Sequence, residues 1–199
     1  LSINVPTPIV KENRTFPLFI KPYDGSLSKD IYLINCKEEL SESLINNPKL
    51  MFMEYINPSN FNEYTIDAYY DKSNILKCLV PRRRIEVRGG EISKGRTEKL
   101  KFYYILKEKL NSIKGANGCL TIQFFVGKLN EEIIGIEINP RFGGGFPLSY
   151  ASGANYPEYI ILEYMMNEPI NFNDNWVENL VMLRFDSEVI LNKDDFAKK

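Results

Sequence analysis

Apolar positions in this chain recur mostly at a spacing of two, with a few stretches at the longer helical spacing. Pro17–Lys21 and Ile31–Ile34 read as short strands separated by a turn-rich stretch. Asn35 with Glu38 three residues on forms a capping-box pair, which predicts a helix over Lys37–Asn46 with Pro48 beyond its end. Met51–Ile56 is the next strand. Glu63–Tyr70 alternates, and Ile75–Val80 returns after a turn at Asp71–Asn74. Leu100, Tyr103, Tyr104, Leu106 and Leu110 share one face of a helix expected over Thr97–Ile113, closed by Gly115. Leu120–Val126 and Ile133–Ile138 flank a polar turn as a hairpin. Tyr156–Met166 reads as a final helix and Val181–Phe185 as a last strand. The predicted fold class is α+β with mostly antiparallel sheets.

Composition narrows the chemistry. The 199 residues are 44% hydrophobic and 26% charged, with a net charge of −1. These are ordinary values for a globular protein, and the charge balance argues against nucleic acid as a partner. No apolar run reaches the ~18 residues that a membrane span requires, so no membrane partner is expected. Cys36, Cys78 and Cys119 are scattered and form no CxxC, so we expect neither a zinc site nor a disulfide framework, and a cytoplasmic location. The chain has no histidine. That removes Ser-His-Asp and Cys-His catalysis and His-ligated metals. Carboxylates, amides, Lys, Arg or a hard cation must carry any reaction.

Four places could do so. Glu137 and Asn139 lie two apart on a strand and share a face, while Ile136 and Ile138 point into the core. Arg141 follows past Pro140. If the hairpin turn centres on Asn130, Gln123 lies opposite Glu137. One carboxylate and two amide oxygens then converge, which suits Mg²⁺; the alternative is a solvated strand face with an ordinary Glu–Arg pair. Lys21 ends a strand before a loop carrying Gly25, Ser26 and Ser28, where backbone N–H groups, hydroxyls and a point charge can wrap phosphate. It is not a Walker A loop, and a plain surface turn is the competing reading. Glu54, Tyr55 and Ile56 run from a strand into a loop that offers backbone groups to an adenine edge, and Glu63 could accept ribose hydroxyls. Last comes the basic run Arg82, Arg83, Arg84, Arg88, Lys94 and Arg96. Arg84 and Arg88 are an even number apart on one candidate strand face, and with Lys94 they are candidates for clamping a substrate carboxylate.

In this order the four pieces resemble the ATP-grasp superfamily, within it the branch like the carbamoyl-phosphate synthase large subunit and PylC. The matching stretches run from Phe16 to Ser26, Met53 to Ile56 with Glu63 to Asp67, Arg84 to Lys94, and Glu137 to Gly145. The resemblance implies two α+β lobes gripping ATP between them. Residues 1–15 would connect from an N-terminal domain, 16–57 would form the small lobe, and 58–199 the large lobe. It implies that Lys21 contacts phosphates and that Glu54–Ile56 form the adenine hinge. Gln123, Glu137 and Asn139 would hold one or two Mg²⁺, or Mn²⁺. Lys21 and Arg141 would be the catalytic cations, Arg141 steadying the transferred phosphoryl group. The implied activity is carbon–nitrogen ligation of a small carboxylate to an amine through an acyl phosphate. A homodimer is compatible with it. The alternative is an ATP-binding module without turnover, in regulation or assembly.

Overall fold

The computed structural model describes residues 3–9, 14–24, 30–130, 132–185 and 187. Two antiparallel sheets border one cleft. The smaller has the order β2-β1-β3, built from β1 (Leu18–Pro22), β2 (Tyr32–Ile34) and β3 (Leu50–Glu54). Strand alternation sorts its two faces. Leu18, Ile20 and Phe52 enter a small core with Ile34 and Leu40, each such burial contributing about 1.5–3 kcal/mol. Phe19, Lys21, Met51 and Met53 fall on the opposite face and line the cleft.

Between β2 and β3 the expected helix is broken in two. A 3₁₀ turn, Lys37–Glu39, precedes the one-turn α1 (Glu42–Ile45). The Asn35 N–H donates to Glu39 Oε2 at 2.8 Å rather than to Glu38. Ser41 then caps a fresh start by accepting the Leu44 N–H.

The larger sheet has the order β8-β7-β4-β5-β6-β9. Its strands are β4 (Phe61–Tyr70), β5 (Leu76–Arg88), β6 (Glu91–Thr97), β7 (Gly118–Gly127), β8 (Ile133–Asn139) and β9 (Val181–Leu183). The basic run is therefore strand, so β5 extends well past Val80, and β6 is a strand the sequence pattern did not predict. Apart from Ile92 its residues are polar or glycine, and four of the seven are buried, with β5 and β9 on either side. The helix expected over Thr97–Ile113 contracts to α2 (Lys101–Lys109). Thr97 is held in the sheet instead, its N–H donating to Leu180 O and its hydroxyl to Val177 O.

The two faces of β4 have different fates. Tyr64, Ile66, Ala68 and Tyr70 face α2: Tyr64 stacks 4.5 Å from Phe102, and the Tyr70 hydroxyl donates to Leu110 O. On the other face, α3 (Phe146–Ala151) and α4 (Tyr156–Ile160) cover the far half. Tyr69 packs there against Tyr156 and Tyr159. The predicted final helix continues from α4 as a π-helical turn, Ile161–Met165. These helices leave Glu63 and Thr65 uncovered, and that open half is the floor of the cleft.

Residues 3–9 tie the sheets together. The Gly135 N–H on β8 donates to Asn4 O, while the Glu54 and Ile9 N–H groups pair Thr7 O and Phe52 O on the β3 side. Among the described residues no helix is long and apolar enough to cross a membrane.

Candidate functional site

The cleft encloses about 870 Å³ and takes its walls from both sheets. The small sheet contributes Lys21 from the end of β1. Glu54 at the end of β3, with Tyr55 and Ile56 after it, lies at the junction between the sheets. The large sheet contributes Glu63, Thr65, Arg82, Arg84, Thr121, Gln123, Glu137 and Asn139. Register explains why they share a face. Thr65 is opposite both Arg82 and Gln123, and Gln123 is opposite Glu137; the pairs nearer the turn, Phe124–Gly135, Phe125–Ile134 and Val126–Ile133, do not centre on Asn130, and an irregularity between Gln123 and Phe124 shifts the register by one to bring Gln123 to Glu137. Ile136 and Ile138 line the cleft as well, rather than entering the core. Gly25, Ser26 and Ser28 lie outside the described residues.

Glu137 is the meeting point of the hairpin. Gln123 Nε2 donates to its Oε1 at 2.8 Å and Asn139 Nδ2 to the same oxygen at 2.9 Å. A half-turn of each amide exchanges its nitrogen for its oxygen at that point. The set then offers only hard oxygen donors, which fits Mg²⁺ or Mn²⁺. Among the described residues no group of three or more His, Cys, Asp or Glu is placed to hold a metal. The fit therefore depends on one carboxylate assisted by amides. Desolvation pushes the Glu63 carboxyl above its usual range; Arg84 pulls it back, and the neighbouring Glu137 charge raises it further.

Arg84 is engaged rather than open. Its Nε lies 2.9 Å from Glu63 Oε1, out of line for a hydrogen bond, while Nη1 reaches Thr65 Oγ1 and Nη2 donates to Gly90 O. Arg88 and Lys94 are not brought to the cleft. The β5–β6 register shifts on both sides of Glu86, so Val87 takes the inward place that strict alternation would give to Glu86 or Arg88. Lys94 binds Glu86 Oε2 at 2.6 Å outside the cleft.

Arg141 lines the cleft, and its backbone carbonyl is held by the Thr121 hydroxyl at 2.7 Å. Its guanidinium caps the neighbouring Phe142 carbonyl. The glycines that follow lie close against the sheet, Gly145 most tightly. A Cβ on Gly143 would sit 3.0 Å from Thr121 Cγ2; on Gly144 it would collide with the Glu91 carboxylate, and on Gly145 with Arg82. Close approach, not an unusual φ, fixes glycine here. Sequence reasoning noted Arg82 only as one member of a basic run. The signal that could have singled it out is its spacing of two from Arg84.

A family model described as "ATP-grasp in the biosynthetic pathway with Ter operon" matches residues 46–182. A Mycoplasma pneumoniae protein described as "Uncharacterized protein MG011 homolog" is 27% identical over 156 residues, covering 76% of this chain and 53% of that protein. The chain thus spans about half the length of the curated relative it matches. Among solved structures, biotin carboxylase from Campylobacter jejuni in complex with β,γ-ATP superposes with a TM-score of 0.72 at 16% identity, over 90% of this chain and 46% of the other. N5-carboxyaminoimidazole synthetase from Staphylococcus aureus, complexed with ADP, gives 0.64 at 19% identity, over 91% and 50%. An L-amino acid ligase from Bacillus licheniformis gives 0.58 at 18%, over 81% and 43%. At these identities the structural likeness establishes the fold.

Proposed function

Because this chain belongs to the ATP-grasp family, we propose that it forms the nucleotide-holding part of an ATP-dependent ligase that joins a small-molecule carboxylate to an amine. The observation that carries this reading is the cleft itself. Lys21 from one sheet and the Gln123, Glu137, Asn139 and Arg141 set from the other wall a single cavity of about 870 Å³. ATP lies between the sheets, with its adenine edge at the Glu54, Tyr55 and Ile56 backbone and its ribose at Glu63. Lys21 binds phosphate oxygens as a point charge, helped by the loop that carries Gly25, Ser26 and Ser28. Gln123, Glu137 and Asn139 hold Mg²⁺, which neutralises charge on the phosphate oxygens when bound.

The missing histidine fits phosphoryl transfer, where positioning and charge neutralisation do most of the work. A carboxylate oxygen attacks the γ-phosphorus, the bond to the β,γ-bridging oxygen breaks, and ADP leaves with that electron pair. The acyl phosphate then meets the amine, whose nitrogen bonds to the carbonyl carbon. Inorganic phosphate departs and the amine loses its proton. Arg141 steadies the transferred phosphoryl group. Of the three basic residues considered for the substrate carboxylate, Arg84 is the one that lines the cleft, so that role narrows to it. The parent branch, like carbamoyl-phosphate synthase or PylC, a cytoplasmic setting and a homodimeric assembly belong to the same proposal.

Hydroxylamine provides the test of the acyl phosphate. Full-length protein with Mg²⁺-ATP, a panel of small carboxylates and hydroxylamine should release phosphate and a hydroxamate together, with at least one carboxylate. ADP release that never depends on a carboxylate, with no hydroxamate, would favour an ATP-binding module in regulation or assembly.

A further inference from the structure

A ligase must bring a carboxylate and an amine to one place, and the large-sheet wall of the cleft sorts its charges accordingly. Arg82 is already engaged. Its Nε donates to Asp67 Oδ2 at 2.7 Å and Nη2 to Oδ1 at 3.1 Å, and the Ser149 hydroxyl adds a third bond to Oδ2 at 2.5 Å. Both charges of that pair are buried. Arg84 remains for the carboxylate substrate, and its Nη2 donates to Gly90 O at 3.0 Å. The next residue, Glu91, is a carboxylate that the nucleotide reading leaves unused.

Glu91 opens β6 after a turn in which Gly89 and Gly90 take φ of +56° and +82°. It lines the cleft. Its carboxylate lies on the loop after Arg141, where a Cβ on Gly144 would meet both of its oxygens. Other carboxylates of the cleft have partners or lie elsewhere. Glu137 gathers the amides of Gln123 and Asn139, Glu63 sits beside Arg84, and Glu54 accepts the Thr7 N–H at 3.3 Å. Asp24 follows β1 on the small-sheet wall. Glu91 has Arg184 Nη1 3.9 Å away, and that nitrogen already donates to Ile92 O. The Glu91 side chain is 43% exposed, so this ion pair is weak and a competing cation can replace it.

We infer that Glu91 binds the amine substrate as its ammonium ion, against the Gly143–Gly145 loop and beside Arg84. The inference rests on the ligase reading and names the charged form in which the nucleophile arrives. A primary amine in water is a cation near neutral pH, as the lysine side chain is. Arg84 and Glu91, joined through Gly90, then offer opposite charges to oppositely charged substrates that have to meet. The bound ion loses one N–H proton to water before its nitrogen bonds to the carbonyl carbon. Gly144 leaves the Glu91 carboxylate its place on the loop.

The test uses full-length protein with Mg²⁺-ATP and a carboxylate that forms hydroxamate with hydroxylamine. Absence of hydroxamate from every carboxylate overturns the ligase reading, and this inference with it; the outcomes that follow judge Glu91 alone. Above neutral pH hydroxylamine is uncharged, whereas methylammonium is a cation. Methylammonium chloride is therefore titrated into the hydroxamate assay against potassium chloride at constant ionic strength. Hydroxamate should fall saturably with methylammonium, which fills the site or takes the acyl group, and not with potassium. In Glu91→Gln, with each rate taken relative to the variant's own amine-free rate, the half-effect concentration should rise about tenfold or more, the loss of one contact between charges. Gly144→Ala, whose Cβ displaces the Glu91 carboxylate, should do the same and serves if Glu91→Gln does not fold. A half-effect concentration unchanged in both variants overturns the inference, as does methylammonium acting no differently from potassium. So does loss of hydroxamate formation in both variants before any amine is added, which assigns Glu91 to activation of the carboxylate instead.

Discussion

Glu137→Gln should cut turnover by about 10²–10³-fold, the equivalent of the several kcal/mol that a metal supplies in stabilising transferred charge, while thermal stability moves by no more than about 0.5 kcal/mol. The separation follows from where the residue stands. Glu137 is exposed on β8, so its charge supports no core. Its Oε1 nevertheless gathers both neighbouring amides, Gln123 and Asn139. The glutamine variant keeps that shape and removes the one formal charge among the three residues. Steady-state turnover beside a thermal melt reads both quantities from one preparation. An equally active variant means that the hairpin is only a solvated strand face, and the metal assignment falls with it.

Asp67→Asn should be the most damaging single change to stability, at about 3–5 kcal/mol. The substitution conserves volume but strips Arg82 of its counter-charge in a site from which water is excluded. Ser149 also loses its charged acceptor, which loosens α3 from β4. Because the damage is an uncompensated charge rather than a lost contact, removing both partners should be far milder. The double variant Asp67→Leu with Arg82→Met ought to recover most of the loss in urea unfolding. If the double variant is as unstable as the single, packing rather than charge pairing is what the site provides.

How far the sequence carries can be read from particular residues. Glu137 and Asn139 lie two apart on β8 and both reach the cleft, but Gln123 faces Glu137 through an irregularity between Gln123 and Phe124; the register nearer the turn, continued unbroken, would set Gln123 against Ile136. Lys21 at the end of β1 needed only a short apolar run before it. The α+β class and the antiparallel pairing follow from the same periodicity. What alternation cannot supply is a register break. The irregularity around Glu86 moves Val87 inward and leaves Arg88 off the cleft, and nothing in the residues from Arg84 to Arg88 announces it. β6 was invisible for a related reason: Ser93, Lys94, Gly95 and Arg96 have no strand-like pattern until β5 and β9 flank them. Helix ends failed where tertiary hydrogen bonds outbid local propensity, as with Thr97, claimed by Leu180 and Val177. The Asp67–Arg82 pair depends on long-range register between β4 and β5, so composition gave it away only as one arginine among several.

The account depends most on the cleft binding Mg²⁺-ATP, and calorimetric titration of full-length protein with ATP at millimolar Mg²⁺ tests that most directly. Wild type should show saturable binding with one nucleotide per chain. Lys21→Ala should weaken it by about tenfold, the loss of one charge-assisted phosphate contact, because Lys21 is the cation that the small sheet presents to the cleft. Absence of both binding heat and a thermal shift with wild-type protein would contradict the account, whatever the fold.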